Sequence, residues 1–145
     1  MQGQTPSDNK GHQTTVFISY AREDSEAAKR LYQDIKNAGM IPWLDKECLI
    51  AGQNWKIAIE KAIKKSRYFI PILSSNSVEK RGFVQKEFKY ALDVVDEFPE
   101  SQIFVIPVRL DSCNIAYEKL ENIEYVDLFP DWHKGLQRIL QAMKE

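Results

Sequence analysis

Short apolar runs alternate with amphipathic stretches along this chain from Thr14 onward. Runs rich in β-branched and aromatic residues predict strands, and apolar residues spaced three or four apart predict helices. Strands are predicted at five places: 15–20, 41–44, 68–73, 103–108 and 124–128. Helices are predicted from 24 to about 37, after 54, from 78 to about 97, and from 130 or 131 onward.

This alternation predicts an α/β domain whose parallel sheet is covered by helices on both faces. With right-handed crossovers, five strands favour a flavodoxin-like three-layer sandwich in the order 2-1-3-4-5. Strand 3, Tyr68–Leu73, is apolar throughout, as expected for a strand buried on both faces. Pro71 conflicts with that position because proline cannot donate to the ladder.

Four residues mark predicted element ends. Asp24 and Asn54 are residues of the type that cap helix N-termini. Gly39 follows the first helix, at the place where a left-handed residue closes it. Gly52, in the polar loop Asp45–Gln53, is expected to supply a positive φ.

Composition predicts one domain and a polar tail. Residues 1–13 have almost no apolar side chains and are expected to form a flexible tail, with the domain at 14–145. A formal net charge of −1 gives no electrostatic reason to expect a nucleic acid or an anionic membrane surface as a partner. No apolar run approaches the roughly 20 residues of a membrane span, and no secretory signal is evident, so a cytoplasmic location is expected.

Metal and nucleotide motifs are not found. Cys48 and Cys113 lack CxxC spacing, and neither His12 nor His133 has a companion at ligand spacing, so no metal site is predicted. Two reduced thiols are expected instead. GxGxxG and GxxxxGK[ST] are absent, which argues against a dinucleotide-binding dehydrogenase and a P-loop NTPase.

The predicted strand order places a crevice outside the carboxyl ends of strands 1 and 3. Residues Tyr20–Asp24 and Ser74–Ser77 follow those strands and are expected there.

Glu87 does not fit the helix face on which it lies. At about 100° per residue, it falls inside an arc of apolar residues, between Phe83 and Ala91. A carboxylate facing a core is costly unless it is paired or lines a cavity, and burial raises its pKa. Glu87 is therefore either a catalytic candidate or a structural partner of Arg22 or Lys56.

Four segments stand out in order along the chain: Phe17–Tyr20 followed by Arg22–Asp24, then Trp43–Asp45 with Leu49–Gly52, then Tyr68–Ser77, and finally Gly82–Glu87. In this order they resemble the conserved segments of bacterial-type members of the TIR (Toll/interleukin-1 receptor) domain family. The resemblance extends from Thr14 to about Met143. Phe83 stands where many members have tryptophan, so the indole N–H is missing here.

The resemblance implies cleavage of NAD+ at the nicotinamide–ribose bond, with NAD+ as substrate and no further cofactor. It implies Glu87 as the catalytic carboxylate. The expected substrate-binding residues are Tyr20, Arg22, Asp45, Gly52, Trp55, Ser77 and Phe83. Within this set, Tyr20 and Phe83 are expected to form apolar walls, and Arg22 to meet the pyrophosphate.

The resemblance also implies self-association, or association with other TIR domains, through the family's BB loop, here Asp45–Gln53. A separate sensing domain and activation by assembly in defence are further expectations. ADP-ribose, a cyclic ADP-ribose isomer and base exchange stay open as outcomes. Two alternatives also stay open: a non-catalytic TIR signalling adaptor, and a nucleoside deoxyribosyltransferase, which uses a similar fold and a glutamate.

Overall fold

The computed structural model describes residues 14–44, 52, 54–77, 90, 93–97, 104–114, 120 and 123–144. Six strands have described bounds: β1 (Thr15–Ser19), β2 (Ile41–Leu44), β3 (Tyr68–Leu73), β4 (Phe104–Val105), β5 (Val108–Arg109) and β6 (Val126–Asp127). Three helices do as well: α1 (Ser25–Asn37), α2 (Trp55–Lys65) and α3 (Trp132–Lys144). A 3-10 turn at Arg22–Asp24 precedes α1.

The strands form one parallel sheet in the order β2-β1-β3-β5-β6, with β4 also paired to β3. This confirms the predicted parallel α/β sandwich and its order, with one change in the strand count. The predicted fourth strand is divided into β4 and β5, which pair with the first and last parts of β3. Pro107 lies between these two segments and lacks the N–H that a continuous ladder requires.

Pro71 lies inside β3, although proline is disfavoured in a central strand. Its register partner on β1 is Ser19, the last residue of that strand. On the other side of β3, the pairs with β4 end at Phe69 and those with β5 begin at Ile72. Pro71 thus lies where the ladder with β1 ends and where, on the other side, pairing passes from β4 to β5, so its missing donor costs least there.

Side chains of β1 and β3 alternate between two hydrophobic clusters, one on each face of the sheet. Val16 and Ile18 belong to the cluster that packs under α1 and α3, whereas Phe17 belongs to the cluster under α2. The Phe17 ring stacks between Trp43 and Phe69, with centroid distances of 5.0 and 5.4 Å. Helices on both faces explain why all six residues of β3 are buried.

Two of the predicted capping signals are confirmed and one is wrong. The Asn54 side chain accepts hydrogen bonds from the backbone N–H groups of Lys56 and Ile57. Gly39 has φ 95°, in the left-handed region. Asp24 occupies the N-cap position of α1 but makes no side-chain cap hydrogen bond, because its carboxylate is bonded elsewhere. The last helix is capped by Asp131, which accepts from the N–H of Lys134 at 3.1 Å.

The predicted helix 78–97 and the tail 1–13 lie mostly or wholly outside the described residues. Residues 93–96 are helical, and Val94 and Val95 pack in the cluster under α2. The Tyr90 hydroxyl donates to Glu60 Oε1 of α2 at 2.5 Å. This hydrogen bond raises the pKa of Tyr90 to about 12, with burial adding to the shift.

Candidate functional site

The residues after β3 form a tight turn, Ser74–Ser77, held by its own hydroxyl groups. Ser77 is fully buried, and its Oγ accepts from the Ser74 N–H at 2.9 Å and donates to the Ser74 carbonyl at 3.2 Å. The N–H of Asn76 donates to Ser74 Oγ at 3.0 Å. Serine and asparagine suit such a turn because their short polar side chains can bond to nearby backbone groups.

A buried carboxylate from the 3-10 turn that follows β1 joins this turn. Asp24 is only 6% exposed, and its Oδ2 accepts from the Ser74 hydroxyl at 2.6 Å. Its Oδ1 accepts from Asn76 Nδ2 at 3.0 Å. The exits of β1 and β3, 50 or more residues apart in sequence, are therefore connected directly at the edge where the crevice was predicted.

A second carboxylate contacts the same turn from the exit of β5. Asp111 accepts from the Ser75 hydroxyl at 2.6 Å and from the Ser75 N–H at 3.1 Å. Burial by itself would raise the pKa of Asp111, but hydrogen bonds from Ser75 and Cys113 lower it below its ordinary value. Asp111 therefore stays ionised at neutral pH and fixes Ser75 by charge-assisted hydrogen bonds.

Beyond Asp111, the ends of β5 and β6 are joined by an ion pair. Arg109 Nε and Nη2 donate to the two carboxylate oxygens of Asp127 at 2.7 and 3.0 Å. The guanidinium also lies 4.4 Å from the centroid of the Tyr125 ring. The hydrogen bond to Asp127 raises the pKa of Arg109, although burial opposes the shift. This cluster stabilises the sheet edge beside the turn.

Ser19 ends β1 with a buried hydroxyl that has no hydrogen-bond partner among the described residues. Strand alternation places it on the same face as Phe17, the face covered by α2. Its register partner is Pro71, which has no N–H to offer.

The structure brings three of the predicted site residues to the crevice region. Tyr20 directly follows β1, and its ring is partly buried against the cluster under α1 and α3. Arg22 lies in the 3-10 turn with an exposed side chain. Ser77 closes the turn after β3, and both hydrogen bonds of its hydroxyl go to Ser74.

The remaining predicted site residues are described in part or not at all. Gly52 has φ 87° and is exposed, which confirms the positive φ expected of it. Trp55 is the first residue of α2, but its side chain lies outside the described part of the chain. Asp45, Phe83 and Glu87 also lie outside the described residues, so their predicted roles stay predictions.

Among the described residues, no group of three or more potential ligands is placed to hold a metal ion. No helix within the described ranges is both long and apolar enough to cross a bilayer. Cys113 is a free, buried thiol, and burial raises its pKa to about 11. Cys48 lies outside the described residues.

A cavity of about 260 Å³ lies at the opposite end of the sheet from the crevice. It is lined by Thr14 before β1, Met40 before β2, and the C-terminal turns of α3. Substrate sites in open α/β sheets lie at the carboxyl ends of the strands. The cavity therefore lies at the edge opposite the predicted crevice, and the crevice stays the candidate site.

Sequence reasoning placed Asp24 at the crevice but predicted only a capping role for it, and it did not select Asp111, the second carboxylate that holds the serine turn. Asp24 stands at the start of the predicted first helix, and helix capping by itself explains an aspartate at that position. Asp111 follows a predicted strand, and that position is the only signal that could have selected it. Both partnerships depend on residues distant in sequence, which a local pattern does not reveal.

Two relatives of this chain carry the same functional name. Over 82 residues, the chain is 32% identical to the NAD(+) hydrolase TcpC of Escherichia coli, which covers 56% of this chain and 27% of TcpC. Over 94 residues, it is 34% identical to the NAD(+) hydrolase TcpA of a Theionarchaea archaeon, which covers 64% of this chain and 27% of TcpA. The matched region thus spans about a quarter of the length of either relative.

Solved structures agree with the fold. The TIR domain of the Toll-related receptor TRR-2 from Hydra magnipapillata has a TM-score of 0.71 at 19% identity, covering 90% of this chain and 98% of that domain. The TIR domains in the activated Roq1 resistosome, which directly recognises the pathogen effector XopQ, have a TM-score of 0.69 at 20% identity, with 90% and 99% covered. The same family description comes from the sequence: the chain belongs to the TIR domain family, whose model matches residues 16–140.

Proposed function

We propose that this TIR domain cleaves NAD+ at the bond between nicotinamide and ribose, with Glu87 as the catalytic carboxylate. The observation that carries the proposal is the name NAD(+) hydrolase, shared by two relatives that are 32% and 34% identical to this chain. Because the matched region is a minor part of each relative, the activity of this chain needs its own test.

The chemistry requires little from the protein beyond placement and one negative charge. Cleavage passes through an oxocarbenium-like state at the ribose, as in glycoside hydrolysis. A carboxylate beside that ribose stabilises the developing positive charge. Nicotinamide leaves without a strong general acid because its ring nitrogen is cationic before the bond breaks. One key carboxylate, Glu87, is sufficient for this mechanism.

The crevice supports the proposal by its place in the fold and by the groups around it. Arg22 is exposed at the end of β1, and a guanidinium binds a pyrophosphate by paired hydrogen bonds. The ring of Tyr20 and that of Phe83 are proposed as walls for nicotinamide or ribose. Ser77 is proposed to act through the turn it closes, while Asp45, Gly52 and Trp55 shape the BB loop and the start of α2.

We further propose that the chain acts after assembly, through the BB loop Asp45–Gln53, in a cytoplasmic defence response. The similar fold of TIR domains in an activated resistosome supports assembly as the activating step. A sensing domain or a partner protein would supply the trigger. The products proposed are nicotinamide with ADP-ribose, when water adds to the ribose cation and loses a proton, or nicotinamide with a cyclic ADP-ribose isomer, when an adenine nitrogen or a ribose hydroxyl of the same molecule adds instead.

Nicotinamide release tests this proposal directly. Concentrated protein is incubated with NAD+, with and without a crowding agent, and the products are separated by HPLC. We expect release by the wild type and none by Glu87→Ala or Glu87→Gln. Glu26→Gln is the matched control, since Glu26 is an exposed glutamate of α1, and it should keep the wild-type rate. Activity per molecule should rise with protein concentration if assembly completes the site.

Two results would contradict parts of the proposal. If assembled wild-type protein releases no nicotinamide, the chain is an interaction module, and Glu87 is a structural partner in it. If the protein transfers deoxyribose from a deoxynucleoside to a free base faster than it cleaves NAD+, the deoxyribosyltransferase alternative replaces the proposal. If the rate of nicotinamide release is strictly proportional to protein concentration over a wide range, activation by assembly is refuted, while the proposed cleavage of NAD+ is not.

A further inference from the structure

The serine turn at the crevice is held from two sides by carboxylates that follow different strands. Asp24, in the 3-10 turn between β1 and α1, bonds Ser74 and Asn76. Asp111, at the end of β5, bonds Ser75. The turn is also the connection between β3 and the segment that contains Glu87, which begins directly after Ser77.

The contact made by Asp24 is not one that folding of α1 requires. The N-terminus of α1 would gain from a side-chain cap, yet the Asp24 carboxylate does not cap it. Its two oxygens are instead used by two donors from the turn, at 2.6 and 3.0 Å, in a site that is 6% exposed. Both hydrogen bonds are charge-assisted. The bond to Ser74 is buried and the bond to Asn76 is partly buried, and shielding from solvent strengthens such bonds.

The hydrogen bonds continue from Asp24 into the backbone of the turn. The hydroxyl of Ser74 donates to Asp24 and accepts from the N–H of Asn76. The carboxylate therefore fixes the orientation of this hydroxyl and, through it, the backbone of the turn. It also fixes the distance between the turn and the β1 exit, where Tyr20 and Arg22 lie.

We propose that Asp24 is a positioning residue for the reaction at this crevice. Through Ser74 and Asn76 it holds the exits of β1 and β3 in the relative placement that turnover of NAD+ needs. The inference rests on the proposed function, and it extends that function to a carboxylate that does not touch the substrate. Small displacements of reacting groups are costly, since a shift of about 1 Å can lower a rate by roughly 100-fold.

Three variants separate positioning from general stability. Asp24→Ala removes both hydrogen bonds. Asp24→Asn is the conservative variant, because its carbonyl oxygen can accept from Asn76 while its amide can donate to Ser74 Oγ. Asp34→Ala is the control: Asp34 accepts from Trp132 Nε1 at 2.9 Å, a contact between α1 and α3 away from the crevice.

The variants are compared by their kcat and KM for NAD+ and by urea denaturation, at concentrations where sedimentation shows the same assembled fraction. Asp24→Ala is expected to lower kcat by roughly 10- to 100-fold. Asp24→Asn should recover most of that loss, and Asp34→Ala should lower the urea midpoint while keeping the wild-type kcat. Amide hydrogen exchange at Asn76 should become faster in Asp24→Ala, because its acceptor hydroxyl is no longer fixed.

Some results would overturn the inference. A folded Asp24→Ala protein with the wild-type kcat would do so. An equal loss of kcat in Asp34→Ala, at the same free energy of unfolding as Asp24→Ala, would also do so. If Asp24→Ala does not fold, Asp24→Asn and Ser74→Ala carry the test, and a wild-type kcat in both would refute it. A wild type that never releases nicotinamide would refute the proposed function and the catalytic part of this inference. Exchange at Asn76 would then still report whether Asp24 fixes the turn.

Discussion

Replacing Gly135 by alanine tests how closely α3 approaches the sheet. A Cβ built on Gly135 would lie 2.4 Å from the carbonyl oxygen of Asp127 and 3.0 Å from the Cα of Leu128. Both are backbone atoms of the β6 region, so no side-chain rotation can relieve the overlap. The helix has to move away from the sheet, which would loosen the packing of Ile139 and Met143, both buried in the cluster below it.

Two opposing terms set the size of the effect. Alanine is favoured over glycine inside a helix by about 1 kcal/mol. Overpacking a close contact costs about 1 to 3 kcal/mol and occasionally more. The Asp127 carbonyl oxygen and the Leu128 Cα are held in β6 or directly beside it and cannot move easily. The upper part of the range for overpacking therefore applies here. The expected net result is a loss of about 1 to 2 kcal/mol from the free energy of unfolding.

Urea denaturation followed by far-ultraviolet circular dichroism measures this loss. At a typical slope of about 1 to 3 kcal/mol per molar urea, a loss of about 1 to 2 kcal/mol lowers the midpoint by roughly 0.3 to 2 M. The control is Gln137→Ala, an exposed position of the same helix, which should stay within about 0.5 kcal/mol of the wild type. A midpoint for Gly135→Ala equal to or above that of the wild type would refute the reasoning.

Two further predictions follow from the shifted pKa values. Tyr90 has a pKa raised to about 12 from an ordinary 10.0 by its hydrogen bond to Glu60, so the stability this bond provides should be lost as pH rises between these values. In Glu60→Gln, the absorbance change of tyrosine ionisation should move toward lower pH, and an unchanged titration would contradict the assignment. Cys113, with a pKa raised to about 11 mainly by burial, should react with iodoacetamide at neutral pH far more slowly in native than in urea-unfolded protein. Equal rates for the Cys113 peptide in both states would contradict its burial.

The sequence by itself determined the order and the type of the elements. Alternating and helical patterns are local consequences of which face each residue presents, so β1, β2, β3, α1 and the last helix could be placed within a residue or two. The sheet edge that carries the candidate crevice was also predicted from the sequence, because parallel strands with helical crossovers put their carboxyl ends together. The cap at Asn54 and the positive φ of Gly39 needed no distant partner and were predicted correctly.

Tertiary structure decided the features that depend on two segments meeting. Asp24 is a good cap by type, yet donors from Ser74 and Asn76 provide its carboxylate with stronger partners once β1 and β3 lie side by side. The predicted fourth strand is divided at Pro107, which lacks the N–H for a continuous ladder, so β4 and β5 pair with separate parts of β3. Glycine is a poor helix former, and the need for it at position 135 becomes evident only when β6 packs so close that a Cβ would overlap its backbone. Local patterns record which face a residue occupies, whereas hydrogen-bond partners and close backbone contacts depend on which distant segment packs against that face.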